Sequence, residues 1–297
     1  MEGIAFQLSE VMLANEISMS RSPTPPFHCA WRPRVKTDQA MKPSFLIQQS
    51  RILGALIMRE MATRYGRRGG GFLWVIGEPL LFCSGVIVMW LLIGRGHDGV
   101  AVAPFVMSGY MCLLLLRHAI SFSISAIASN MGLLYHRQIS PLHFYLSRML
   151  LELAGSTAAF IIVYAVLLLF GQVDLPHDLL SIYGGWLLMW VMSMGTGYIL
   201  SGFAMRSEVF ERFVPLLSYA MIPLSGVFFM IDWLPEAARQ IYLWVPYPNA
   251  VEMVRHGVFG EQVTTHFRTA YAIGSAFGML LLGLLLIRDA ESYVDVE

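Results

Sequence analysis

Lysine is almost missing from this chain of 297 residues: Lys36 and Lys42 are the only two, both near the N-terminus. A phosphate-binding Gly-x-x-x-x-Gly-Lys-Ser/Thr loop needs a lysine to reach the phosphates, so the chain cannot hydrolyse ATP by that route. The patterns Gly-x-Ser-x-Gly, His-Glu-x-x-His and Asp-x-Asp are also absent, which argues against the simplest hydrolase, zinc peptidase and metal-dependent glycosyltransferase classes. Charge is scarce too: only 13% of residues are charged, against about 25% in soluble domains. The formal net charge is zero, so no broad cationic field argues for a nucleic-acid partner. Cys29, Cys83 and Cys112 are odd in number and widely spaced, which suits neither a disulfide framework nor a metal site. The first 20 residues hold no basic segment followed by a sustained apolar core, so no cleavable signal peptide is expected and the first span should act as its own insertion signal.

What is plentiful is apolar surface: 56% of residues are hydrophobic, and the mean hydropathy is +0.60. An all-α integral membrane protein follows. Residues 64–79 switch from a basic, glycine-rich strip (Arg64, Arg67, Arg68, Gly69, Gly70, Gly71) to an apolar run with Phe72 and Trp74 at its start, the order of groups met on crossing from headgroups into hydrocarbon. Six spans are expected at about 72–94, 103–128, 149–170, 180–204, 213–231 and 269–287, within a membrane domain over 67–290. Arginines near the span ends favour both termini inside: Arg59, Arg64, Arg67, Arg68, Arg137, Arg148, Arg206, Arg212 and Arg288, against Arg95, Arg239, Arg255 and Arg268 outside. Residues 1–43, rich in proline and basic groups, read as a disordered cytoplasmic tail. Residues 44–66 read as an amphipathic helix on the membrane surface capped by Ser44, and 291–297 as a cytoplasmic end. Residues 232–268 read as two short amphipathic helices joined at a proline hinge, lying at or dipping into the outer membrane surface.

Polar groups at membrane depth are expensive and therefore informative. Glu78 lies one turn into the first span, ahead of Pro79, where it would need an arginine or a helix end to meet. Arg117 and His118 fall in the middle of the second span and should face a wet interior or a protein partner. Residues 130–142 form a compact inner loop with an exposed aromatic and with Pro141 placed to start a helix, the kind of element that docks into another protein's groove. Aromatic residues, among them Trp74, Tyr110, Tyr219, Phe228 and Trp233, offer flat apolar faces for stacking, although membrane proteins use aromatics as interfacial belts as well.

The order and spacing of several short patterns carry a resemblance. Arg59-Glu60, Arg64-Tyr65-Gly66, Gly71-Phe72-Leu73-Trp74 and Glu78-Pro79 open it; Asn130 to Leu142 and Ser147-Arg148-Met149-Leu150-Leu151-Glu152 continue it. Glu208-x-x-Glu211-Arg212-x-x-Pro215, Leu234-Pro235 and Pro248-Asn249-Ala250-Val251-Glu252-x-x-Arg255 complete it. Over residues 50–290 the chain resembles the inner-membrane permease subunit of bacterial ABC exporters for capsular polysaccharide, the KpsM-like group, close to the O-antigen export permeases. Tyr247-Pro248-Asn249 departs from the family, which more often has Asn before Pro at the hinge.

The resemblance implies a bacterial inner-membrane subunit that forms a homodimer over two copies of a separate ATPase, which binds the ATP and magnesium. It also implies periplasmic and outer-membrane export partners and a lipid-linked polysaccharide as cargo, with no cofactor or metal in this chain. Leu134, Tyr135, His136, Arg137, Ile139 and Pro141 would engage the ATPase. Trp74, Glu78, Tyr110, Arg117, His118, Tyr219 and Phe228 are the path candidates, and Trp233, Pro235, Trp244, Pro248, Asn249, Glu252 and Arg255 would form an external gate. Open alternatives are O-antigen, a teichoic-acid-like polymer or a drug as cargo and, outside the ABC class, a membrane-embedded enzyme or an ion-coupled transporter.

Overall fold

The computed structural model describes residues 45–65, 70–93, 100–130 and 140–294. The expected 1–43 tail and the coupling residues Leu134, Tyr135, His136, Arg137 and Ile139 lie outside the described residues. Among the described residues the chain is all-helical: α1 (Phe45–Tyr65), α2 (Gly70–Ile93), α3 (Val102–Ile124), α4 (Pro141–Leu169), α5 (Leu179–Ala204), α6 (Glu208–Leu224), α7 (Glu236–Tyr242), α8 (Pro246–Phe259) and α9 (Thr269–Val294). α3, α4, α5 and α9 are long and apolar enough to cross a membrane, and Gly77–Met89 within α2 is a shorter apolar run.

Helix starts follow local chemistry. Ser140 accepts a hydrogen bond from Leu142 N and Pro141 occupies the first turn of α4, where its missing N–H leaves nothing unsatisfied. Asp178 caps α5 through Leu180 N at 2.9 Å, and Ser207 caps α6 through Phe210 N. α4 begins at Pro141, the expected helix start, and Arg148 and Glu152 near the expected span start are paired inside the protein, Arg148 with Glu60 and Glu152 with Arg64 and His118.

α3 is the axis of the molecule: every residue from Ala103 to Leu116 is buried. α5 packs along α3, α8 and α9. Small residues make this closeness possible. A Cβ on Gly195 would lie 2.7 Å from Leu280 N, and one on Gly283 would lie 2.6 Å from the Tyr198 Cβ, so α5 and α9 meet backbone to backbone.

Two expectations for the second half are corrected. The fifth expected span, 213–231, is a helix only over Glu208–Leu224; residues 225–230 turn away, with Gly226 at φ +72°. The two short helices expected over 232–268 are α7 and α8, but Pro246 and Pro248 sit in the first turn of α8 instead of in a hinge, and α8 is largely buried within the protein. Tyr247 to Glu252, Val254, Arg255 and Gly257 to Phe259 are buried, and α8 packs against α5, α3 and α9. Gly257 explains part of this, since a Cβ there would sit 2.5 Å from Asp178 O.

Candidate functional site

A cleft of about 480 Å³ opens between α2 and α6, with α3 as its floor. Glu78 enters from α2, Arg117, His118 and Ser121 from α3, and Glu211, Ser218 and Tyr219 from α6. The Arg117 guanidinium lies 5.1 Å from the Tyr219 ring centroid, within cation–π range. Its Nε is buried without a hydrogen-bond partner. The neighbouring turns of α2 and α3, with Phe228 from the segment after α6, line a second, apolar cavity of about 140 Å³ that also includes Phe82, Met89, Phe105 and Tyr110, where Tyr110 stacks on Phe82 at 3.8 Å. A charged cleft thus has an aromatic cavity beside it along α2 and α3. Six of the seven path candidates line these two cavities; Trp74 is 64% exposed and lines neither.

At the α1 end of the cleft, charges that would be costly alone are paired. Glu60 Oε1 lies 3.0 Å from Arg64 Nε one turn along α1 and 3.1 Å from Arg148 Nε on α4. Arg64 Nη1 reaches Glu152 Oε2 at 3.4 Å. Glu152 Oε1 accepts from His118 Nδ1 at 2.9 Å and from Ser156 Oγ at 2.8 Å. A carboxylate only accepts, so Nδ1 carries the hydrogen. Arg148 donates further to Phe122 O at 3.0 Å and Ser125 Oγ at 2.8 Å. Arg59 Nη1 donates to Asn130 Oδ1 at 2.6 Å, and Asn130 Nδ2 donates to Ala126 O at 2.7 Å. α1 is therefore bonded to α4 and to the Ala128–Asn130 turn that precedes residues 131–139, and through Glu152 and Arg148 of α4 to α3.

At the opposite end lies a second charged group. Arg255 is fully buried and donates to Gly226 O at 3.1 Å, Val227 O at 2.6 Å and Phe229 O at 2.7 Å, with Glu252 Oε1 at 3.3 Å. Its guanidinium also lies 4.4 Å from the Phe105 ring centroid. Glu252 accepts from Ile231 N at 3.4 Å and His266 N at 3.3 Å. Arg255 thereby satisfies carbonyls of the non-helical segment that follows α6. Asn249 Nδ2 donates to Leu243 O and Val245 O, and its Oδ1 accepts from Arg268 N. Nearer the surface, Asp232 accepts from His266 Nε2 at 3.0 Å and faces Arg239 at 3.5 Å. The bond from His266 holds its carboxyl below the ordinary aspartate value.

Of the residues assigned to an external gate, Asn249, Glu252 and Arg255 thus sit inside a bonded frame. Trp233 packs on Phe105 at 5.3 Å, Pro235 precedes α7, Pro248 lies in the first turn of α8, and Trp244 is exposed. The α1-end network went unread as a unit. The i, i+4 spacing of Glu60 with Arg64 and of Arg148 with Glu152 was the signal for it.

The profile of the ABC-2 type transporter family matches residues 51–259. The chain is 37% identical over 261 residues to the capsule polysaccharide export inner-membrane protein BexB of Haemophilus influenzae, covering 88% of this chain and 98% of that protein. It is 38% identical over 254 residues to the capsule polysaccharide export inner-membrane protein CtrC of Neisseria meningitidis, covering 85% and 96%. It is 25% identical over 240 residues to the polysialic acid transport protein KpsM of Escherichia coli, covering 80% and 92%. With these relatives and its long apolar helices, the chain is a multi-pass inner-membrane protein and belongs to the ABC-2 type transporter family.

Proposed function

We propose that the chain is the permease subunit of an ATP-driven exporter that moves a lipid-linked capsular or related polysaccharide outward across the inner membrane. The observation that carries this reading, for a chain of this family, is the cleft between α2 and α6. It gathers Glu78, Arg117, His118 and Tyr219, and an aromatic-lined cavity lies beside it along α2 and α3. Hydroxyl-rich sugars need hydrogen-bonding groups and flat apolar faces together, and many weak contacts let a polymer slide without being trapped.

In this reading α2, α3, α4, α5, α6 with the turn that follows it, and α9 are six spans, with both termini inside. Two copies meet about a two-fold axis with their clefts facing, because one bundle of six helices is too small to surround a polymer. A separate ATPase holds ATP and magnesium and pushes on residues 131–148 and on α1. The α1-end network spreads that push to α3 and α4, and the frame around Arg255 steadies the outer end.

Deleting the gene in its host and following surface and intracellular polymer tests the reading. Surface polymer should vanish while lipid-linked polymer accumulates inside. Loss of both pools would point to an enzyme of synthesis, and no change in either would end the polysaccharide assignment.

A further inference from the structure

We infer that Glu152 is a positioning residue that couples occupancy of the cleft to the surface helix α1. His118 lines the cleft, and its ring donates to Glu152 Oε1 at 2.9 Å. The other oxygen of the same carboxylate faces Arg64 of α1 at 3.4 Å. Arg64 in turn lies against Glu60 at 3.0 Å, and Glu60 lies 3.1 Å from Arg148. Arg148 holds Ser125 and Ser129 on the turn before residues 131–139, at 2.8 and 2.5 Å. One carboxylate therefore divides its two oxygens between a wall of the cleft and the helix bonded to Asn130.

Ser156 fixes the carboxylate by donating to Oε1 at 2.8 Å, so a shift of His118 is passed to Arg64 through a group with little freedom of its own. Cargo that touches His118 changes its hold on Glu152 and hence the seating of α1; by reciprocity, moving α1 reshapes the cleft. This inference rests on the cleft being the cargo path.

The test uses the complete permease with its ATPase in nanodiscs and purified lipid-linked polymer as probe. Polymer should raise ATP hydrolysis by the native complex. Glu152→Gln keeps the side chain's shape but removes its charge. It should leave basal hydrolysis intact and cut the polymer-dependent increment about 5-fold or more. A residue needed only for folding would instead lower basal and stimulated rates together.

Arg64→Gln acts at the other end of the same link while leaving His118 and Ser156 bonded to Glu152, and it decides the matter should Glu152→Gln fail to assemble. It should give the same decoupling, and the double variant should be no worse than either single one. A full polymer response in both variants, with a responsive native complex, overturns the coupling alone. A native complex that ignores the polymer overturns the cargo reading and the coupling with it.

Discussion

Arg255→Met is the sharpest test of how the outer end is held. The side chain is 0% exposed and Glu252 is 1% exposed. Methionine of similar length fills the space but withdraws donors from three carbonyls, those of Gly226, Val227 and Phe229. It also strands the Glu252 carboxylate. Each deprived buried acceptor costs about 1–3 kcal/mol, and breaking a buried pair by removing one partner costs about 3–5 kcal/mol. These terms overlap, so about 3–5 kcal/mol is the floor. At roughly 2–4 °C per kcal/mol for chains of 150–250 residues, melting should fall by on the order of 10 °C. Thermal unfolding in nanodiscs measures it. Adding Glu252→Gln removes the stranded charge and should restore about half of the loss, since a neutral amide is far cheaper to bury than a lone carboxylate. A fall below about 3 °C for Arg255→Met, which corresponds to roughly 1 kcal/mol, or a double variant no better than the single one, would refute the reasoning.

Gly257→Val places a Cβ 2.5 Å from Asp178 O and from Ile182 Cγ1, so α8 must move off α5; a loss of about 1–3 kcal/mol in unfolding free energy checks this. Asp232 has a lowered carboxyl value, first through its bond from His266, so it stabilises the folded state above the ordinary aspartate range and loses that contribution as pH falls through the lowered value. Asp232→Asn should therefore lower melting at neutral pH and flatten the acid limb of melting against pH. Asn130→Ala removes the acceptor for Arg59 at 2.6 Å and the donor to Ala126 O at 2.7 Å. It should loosen the approach to residues 131–139 and reduce surface polymer while membrane levels hold, as read by immunoblot beside a polysaccharide assay.

The parts of the fold legible in the sequence are those where one chain segment decides the outcome alone. The fourth span was expected at 180–204 and α5 runs Leu179–Ala204, because a charge-free run has no reason to end early. The start of α4 at Pro141 was legible from the proline, but the pairing of Arg148 and Glu152 was not, since they look like boundary charges until Glu60, Arg64 and His118 are placed beside them. α8 misled for a related reason: its polar residues suggest a surface helix, yet Glu252, Arg255 and Asn249 spend their polarity on the backbone of neighbouring loops. For the cleft, the cost of a lone charge at depth singled out Glu78, Arg117 and His118. Aromatic character was a weaker guide. It brought in Tyr219, which lines the cleft, and Trp74, which does not.

The shortness of α6 has a consequence for the lipid around it. Its 17 residues, at ~1.5 Å of rise each, span ~26 Å, less than the ~30 Å of a typical hydrocarbon layer. If α6 crosses the membrane, the remaining thickness is met by residues 225–230, whose released carbonyls are bonded to Arg255. The bilayer beside α6 is then drawn thinner than beside α5 or α9, and hydrophobic mismatch is concentrated at the rim of the cleft. Lipids with shorter chains should gather there, so acyl-chain length becomes a variable by which the membrane itself tunes the width of the α2–α6 opening.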